Sequence, residues 1–413
     1  MNNISVVILA GGIGKRFFPF STSKTLIPFM GKPLLQHLIE TVHEAGFDTI
    51  IIVGNHDNTQ WIEHYARDKH ISIKQVQQKE PRGMGDALRA AKQIIGSAPC
   101  IILNAADRIE KSLLKEIQLK AEQDPHTGII VGKEMDAYFP GGYIIMRDGK
   151  ATGIIEKPSP ENRPSNLVKL VCDYIPEPHV FIDHIEKISS EKDDHYEQAL
   201  QHVMNTKPFT LISYTGSWTS LKYAHHVLNM MEDFLEQSVT SFIHASAHIA
   251  QQAVIEGSVY IDEGVKIYEG AVIKGPVYIG KNSIVGNHTL VRHAMIEAHA
   301  TVGFGCEISR SYIGPGCTLH HNYLGDSVLE ADVNPSYGSC SANLRLDHKP
   351  VILRLPNQNY DTGRTKLGVI MGKDVFSGIH CAFMPGVTIG SHARIYPGVT
   401  VHRCVSENEI VKE

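Results

Sequence analysis

Tryptophan is nearly absent from this chain, with two residues in 413. Cysteine is sparse too: the seven residues stand singly, without a Cys-x-x-Cys pair. That pattern excludes a disulfide framework and a thiolate zinc site. No apolar run is long enough to cross a membrane. The first one, Ile4 to Ala10, lacks a basic leader and ends in a Gly-rich turn, so it reads as a buried strand rather than a signal peptide. A formal net charge of −5 is spread over both halves without basic tracts or interleaved aromatics, and nucleic acid is therefore not an expected partner. The 23 histidines are scattered and read as mostly solvated positions. What remains is 42% hydrophobic content, enough for two or three domains with real cores. The expectation is a cytoplasmic protein with no membrane segment.

The strongest positive signal is a count of six. Ile255, Ile261, Ile267, Ile273, Ile279, Val285 and Val291 recur at that interval, often followed by a small or acidic residue. The beat slips by one residue, resumes at Ile296, Val302 and Ile308, and slips again to Ile313 and Leu319. It returns at Phe383, Ile389, Ile395 and Val401. A period of six fits neither a helix nor an alternating strand. It fits a parallel β-helix in which each hexad forms one flat side of a triangular coil and points its aliphatic residue inward. Each coil then buries its interior only against its neighbours.

The first half alternates strand and helix patterns. Strands are expected at Val6–Ala10, Thr49–Val53, Ser72–Gln77 and Cys100–Asn104, and helices at Pro33–Ala45, around Thr59–Lys69 and at Gly85–Ile95. Such alternation implies a mainly parallel sheet covered on both faces, with ligands beyond the carboxyl ends of the strands. The turn Gly11-Gly12-Ile13-Gly14-Lys15-Arg16 and Asp107 both fall there. Glycines let backbone amides approach a phosphate, and Lys15, Arg16 and Lys24 can neutralise its charge.

Three segments carry a resemblance: Leu9-Ala10-Gly11-Gly12-Ile13-Gly14-Lys15-Arg16, then Ser23-Lys24-Thr25-Leu26-Ile27-Pro28 with Gly31-Lys32-Pro33-Leu34, and Glu156-Lys157-Pro158. Together they resemble sugar-1-phosphate nucleotidylyltransferases. The second half resembles the acyltransferase domain of the bifunctional N-acetylglucosamine-1-phosphate uridylyltransferase / glucosamine-1-phosphate acetyltransferase family, in its archaeal-type branch. Tyr323-Leu324-Gly325-Asp326-Ser327, Ala342-Asn343-Leu344-Arg345, Gly363-Arg364-Thr365-Lys366-Leu367-Gly368 and Ile395-Tyr396-Pro397-Gly398 carry that likeness. The resemblance implies a Rossmann-like α/β nucleotidyltransferase domain (1–221), a helical linker (222–250) and a left-handed β-helix (251–413) interrupted by a loop at 346–366. It also implies a homotrimer.

Matched position by position, the resemblance makes Gly12, Gly14 and Arg16 the triphosphate turn, with Arg16 and Lys24 acting on the phosphates. Gln78 and Gly83 fall where a pyrimidine base is bound, implying UTP or dTTP. Asp107 falls on the Mg²⁺ ligand, and Gly142 and Glu156 on sugar contacts. In the second half His320 matches the general base of acetyl transfer from acetyl-CoA. Arg292, Tyr323, Asn334 and Asn343 match contacts to the sugar phosphate and the sugar.

The departures are specific. Lys169-Leu170-Val171 replaces an Asn-x-Gly that lines the sugar pocket, and Ser220 stands where a second metal ligand is expected. Ala224-His225-His226 replaces Pro-Trp-Asp. Ser309 stands in place of a phosphate-holding lysine, beside Arg310, and Tyr337 stands on the expected path of acetyl-CoA. Two readings stay open: a bifunctional enzyme making a nucleotide sugar, or a regulatory or nucleotide-sugar-binding homologue that keeps one activity or none.

Overall fold

The computed structural model describes residues 4–14, 16–69, 71–136, 138–190 and 194–413. Lys15, one of the cations noted on the Gly-rich turn, lies outside the described residues. The chain forms two compact units: Met1–Ile13 with Leu35–Trp218, and Gly14–Leu34 with Thr219–Glu413. Among the described residues, no helix is long and apolar enough to cross a membrane.

The first unit is a nine-stranded sheet with helices on both faces. Its strands β1 (Ser5–Leu9), β2 (Ile50–Gly54), β3 (Ile73–Gln77) and β4 (Cys100–Asn104) run parallel in the order β4-β1-β2-β3. Side chains alternate across β1. Val6 and Ile8 join one core with Leu35, Leu38, Leu113 and Ile117, while Val7 and Leu9 join the other with Leu88, Phe181 and Leu200. The helices that cover these faces are α1 (Leu34–Glu44), α2 (His56–Lys69), α3 (Met84–Ile95), α4 (Lys111–Gln123), α5 (Pro178–Lys187) and α6 (His195–Thr206).

The expectation of a mainly parallel sheet holds for these four strands, while most of the remaining pairings are antiparallel. Strand β6 (Gly142–Arg147) and strand β7 (Lys150–Glu156) form an antiparallel hairpin. Asp148 and Gly149 close it with φ of 48° and 74°, a two-residue turn that can join only antiparallel neighbours. Strand β8 (Leu167–Ile175) pairs antiparallel with β4 and with β5 (Gly128–Glu134), and β9 (Phe209–Ser213) returns parallel to β5.

The second unit is a three-sided parallel β-helix. Its first face stacks Phe242–Ile243, Val259–Ile261, Val277–Ile279, Met295–Ile296, Tyr312–Ile313, Val328–Leu329, Ile370–Met371 and Thr388–Ile389. The hexad aliphatics fill one continuous interior. Register explains the slips in the count. Ile261 pairs with Ile279, then Ile279 with Ile296, Ile296 with Ile313 and Ile313 with Leu329, so a coil shortens from 18 residues to 17 and then 16. Among the described residues, seven histidines have positive φ: His288, His293, His299, His321, His348, His380 and His392. Histidine, like Asn and Asp, tolerates the left-handed region better than most side chains, and all of these but His348, which lies in the inserted segment, turn coil corners.

Two expected boundaries change. The helix of the expected linker, α7, covers His226–Ser238, and strands from Phe242 already pair with the next coil. The last part of 222–250 therefore belongs to the solenoid. The loop at 346–366 is not a free projection: Ile352–Arg354 and Asn359–Asp361 form a hairpin. Tyr360 stacks on Tyr223 at 4.1 Å, and Arg364 bonds Glu232 at 2.8 Å and Asn229 at 3.1 Å. Anchorage to α7 gives the inserted residues the burial that the interior denies them.

Candidate active sites

The Gly-rich turn leaves the carboxyl end of β1. Two buried asparagines that sequence reading missed hold it in place. Asn55 donates to the carbonyls of Gly11 (3.4 Å) and Gly12 (3.2 Å), and Asn58 donates to Ala10 at 2.9 Å. The Asn55 carboxamide oxygen also accepts the amides of Asp57 and Asn58, capping the start of α2. A pair of asparagines directly after a buried strand is the signal that could have found them. Gly14 adopts φ 63°, and Arg16 is exposed.

Gln78 is buried against this turn. A Cβ on Gly11 would collide with the Gln78 carboxamide oxygen, so only glycine admits that approach. The Gln78 amide donates to the Gly83 carbonyl (3.1 Å) and to Asp86 (2.9 Å). Gln78 and Gly83 are thus brought together as expected, with Asp86 as an unforeseen third member.

Asp107 lies just beyond the carboxyl end of β4 and is 5% exposed. Asn104 donates to one of its oxygens at 2.7 Å and the Trp218 indole to the other at 3.2 Å. Gly142 and Glu156 also meet: the Glu156 carboxylate is 3.1 Å from where a Cβ on Gly142 would stand. Glu156 pairs with Lys157 at 2.6 Å. Burial, with Glu156 nearby, pushes the Glu197 carboxyl up to about 7.

Lys169, the departure from Asn-x-Gly, is consumed below this pocket. Its ammonium pairs with Asp173, four residues on along β8 and on the same face. Tyr196 donates to the same Asp173 oxygen and lies with its ring 5.0 Å from the ammonium. Burial raises the Asp173 carboxyl above its usual range while Lys169 holds it down.

Lys24 and Ser220 belong to the second unit. The Lys24 ammonium reaches the Leu221 carbonyl at 3.4 Å, and Ser220 is buried. His225 and His226, found in place of Pro-Trp-Asp, are structural. The His226 Nδ1 accepts the amides of Lys222 and Tyr223 at the start of α7, and burial drives its pKa down to about 3. Among the described residues, no group of three His, Cys, Asp or Glu is arranged to hold a metal ion.

On the solenoid, the face that stacks Leu290–Arg292, Glu307–Ser309 and Tyr323–Gly325 gathers several of the expected residues. Arg292 stacks in register above Ser309, and Ser309 above Gly325. Arg292 bonds Glu307 at 2.8 Å. Arg310 does not supply a free cation beside Ser309: its Nε and Nη2 grip the two oxygens of Asp326 at 2.8 Å, and its Nη1 reaches the Ser309 hydroxyl. Asn343 donates to Asp326 at 2.5 Å, and the Tyr323 hydroxyl and the Asn343 amide converge over Gly325. Asn334 lies instead on another face, where Asn334–Pro335 pairs with Phe376–Ser377.

His320 is exposed on the turn before Tyr323. Buried Asn322 fixes that turn, accepting the His320 amide at 2.6 Å and donating to the carbonyls of Ser336 and Ser339. His321 points elsewhere: its ring stacks on Tyr337 at 5.3 Å, and Tyr337 meets His380 edge-on.

The nucleotidyl transferase family profile matches residues 5–228, and the GMPPB C-terminal domain profile matches 238–339. A bifunctional sugar-1-phosphate nucleotidylyltransferase/acetyltransferase from Sulfurisphaera tokodaii is 31% identical over 98% of this chain and 99% of its own length. The bifunctional protein GlmU of Methanocaldococcus jannaschii is 28% identical over 99% of this chain and 97% of its own. A solved UDP-glucose pyrophosphorylase complexed with UDP-glucose shares the fold with a TM-score of 0.51 and 19% identity, over 57% of this chain and all of that one.

Proposed function

Because the chain belongs to the family of bifunctional sugar-1-phosphate nucleotidylyltransferase/acetyltransferases, we propose that it couples UTP or dTTP to a sugar-1-phosphate and N-acetylates an amino-sugar-1-phosphate with acetyl-CoA. The first reaction is nucleotidylyl transfer. A phosphate oxygen of the sugar-1-phosphate attacks the α-phosphorus of the nucleotide, and pyrophosphate leaves. Such a displacement needs orientation and charge neutralisation rather than covalent help.

The amides of the turn at Gly12 and Gly14, with Arg16 and Lys24, take the triphosphate; Gln78 and Gly83 take the base; Gly142 and Glu156 take the sugar. The observation that carries this reading is Asp107, a carboxylate fixed through both oxygens at the carboxyl end of a central parallel strand. One carboxylate suits Mg²⁺, which keeps several waters and is otherwise held by substrate phosphates. Asp107 is the residue that would hold it, and the ion would neutralise phosphate charge.

In the second reaction the amine of the sugar attacks the thioester of acetyl-CoA. His320 takes the amine proton, Arg292 holds the sugar phosphate, and Tyr323 and Asn343 contact the sugar. Asn334 contributes across a coil corner. The exposed Phe304, Tyr337, Tyr396 and Ile410 support assembly into a trimer, and a cytoplasmic location belongs to the same proposal. The deciding experiment measures pyrophosphate release across nucleoside triphosphates and sugar-1-phosphates, and coenzyme A release with glucosamine-1-phosphate. Light scattering settles the trimer. Arg310, fully engaged by Asp326, favours a second reading for the solenoid alone: binding without acetyl transfer. Absence of coenzyme A release alongside active pyrophosphate release would select it.

A further inference from the structure

Arg16 and Lys24 sit on a strap, residues 14–34, that belongs with the solenoid. The strap runs along the first face and is anchored at successive coils. The Gly31 amide donates to Glu297 at 3.0 Å, and the Pro28 carbonyl accepts from Tyr312 at 2.8 Å. Phe29 stacks on Phe234 and tilts against Tyr312. The amides of Ser21 and Thr22 donate to the two oxygens of Glu330, at 3.1 and 2.8 Å. The Pro19 carbonyl accepts from Ser391 at 3.2 Å and fills the space that a side chain on Gly372 would need. Falling strap numbers meet rising coil numbers, so the strap lies antiparallel to the stacking over five coils, ~4.8 Å apart.

The two carboxylates share a place in the hexad. Each directly follows an interior aliphatic, Ile296 or Leu329, at a corner where other coils carry Gly280, Gly314, Gly372 or Gly390. Glu297 and Glu330 are 1% and 3% exposed, a costly burial unless donors answer the charge. The strap's amides answer it at both oxygens of Glu330 and at one oxygen of Glu297, and in sequence Lys24 lies between the Thr22 and Pro28 anchors. The acidic residues after the aliphatics, visible in the sequence pattern, thereby acquire a purpose that a free-standing solenoid does not give them.

We infer that Glu297 and Glu330 are positioning residues: they fix the backbone of the strap that carries Arg16 and Lys24, the two cations proposed to act on the triphosphate. The inference rests on the proposed function.

The two carboxylates differ in a way that makes the test specific. Both Glu330 oxygens accept backbone amides, one of them also from Lys373 at 2.7 Å, so Glu330→Gln puts an amide donor against amide donors. One Glu297 oxygen has no hydrogen-bond partner among the described residues, so Glu297→Gln keeps the acceptor that Gly31 uses. In the full chain, Glu330→Gln should lower kcat for pyrophosphate release ~10- to 100-fold, the scale of an ångström-sized misplacement, and speed hydrogen exchange at the Ser21 and Thr22 amides. Glu297→Gln should stay within about twofold of wild type in kcat, and Glu297→Ala should behave like Glu330→Gln. Far-UV circular dichroism and the thermal midpoint check that each variant folds. An active wild type whose folded Glu330→Gln variant exchanges faster at the strap yet keeps its kcat would overturn the positioning role. Unchanged exchange would overturn the anchoring itself. A wild type that releases no pyrophosphate removes the reaction the strap would serve, and the inference with it.

Discussion

Lys169→Ala is the sharpest test of the buried cluster beside Gly142, where the sugar is proposed to bind. The Lys169 and Asp173 side chains are 3% and 0% exposed, and one Asp173 oxygen has no partner among the described residues. Removing the ammonium leaves a buried carboxylate with only the Tyr196 hydroxyl as donor. Breaking such a pair from one side costs ~3–5 kcal/mol. At ~2–4 °C per kcal/mol for a unit of this size, the midpoint should fall by roughly 6–20 °C. The loss should depend on pH. Burial already raises the Asp173 carboxyl, and without Lys169 it climbs further above its unfolded value. A raised carboxyl contributes stability below the unfolded pKa that is lost as pH rises through the folded pKa, so the deficit should be larger at pH 8 than at pH 5. The chain's two tryptophans, Trp61 and Trp218, both lie in the first unit, so their fluorescence in thermal unfolding reports on it directly. The double variant Lys169→Met with Asp173→Asn keeps an acceptor for Tyr196 and should return to within ~1.5 kcal/mol of wild type. A loss below ~1 kcal/mol in the single variant, equal at both pH values, would refute the buried pair. A double variant no better than the single one would show that the charge is not what matters.

Asp107→Ala should abolish Mg²⁺-dependent pyrophosphate release and, by taking the acceptor from the Asn104 amide and the Trp218 indole, destabilise the first unit by ~1–3 kcal/mol; a folded variant keeping near-wild-type turnover would remove the metal assignment. His320→Ala should lower coenzyme A release by ~10²–10⁴-fold and leave pyrophosphate release alone. His321→Ala, whose ring stacks on Tyr337, should do far less, and the reverse order would move the base by one residue. Burial pushes the Glu297 carboxyl up to about 8 from an unfolded value of 4.5, with Asp262, Tyr278 and Tyr312 the titratable groups around it. Its contribution is therefore present below pH 4.5 and lost as pH rises toward 8, which should appear in wild type as a melting midpoint that falls over that window and flattens in Glu297→Gln.

How legible each feature was follows from how local its cause is. The β-helix could be read because every coil repeats one requirement, an aliphatic residue facing the shared interior, and even the shortened coils left their trace as slips at Ile296 and Ile313. The parallel strands β1 to β4 were legible for the same reason, as apolar runs bounded by turns. The antiparallel half was missed although Asp148-Gly149 announces its hairpin, because the reading stopped at Asn104. Among site residues, Gln78 with Gly83 and Gly142 with Glu156 do come together, while Asn334 lies on a different face from Arg292 and Tyr323.

The sequence by itself determined the two architectures and the order of their motifs, since periodicity is written in each short segment. Only the tertiary structure decided what became of individual charges. Lys169 is answered by Asp173 and Tyr196, Arg310 by Asp326, and Glu330 by amides some 300 positions away. A charge in a sequence carries no mark of whether it will meet substrate, solvent or a partner. That is settled by which surfaces the fold brings into contact, and here it ties the strap bearing Arg16 and Lys24 to the corners of the solenoid.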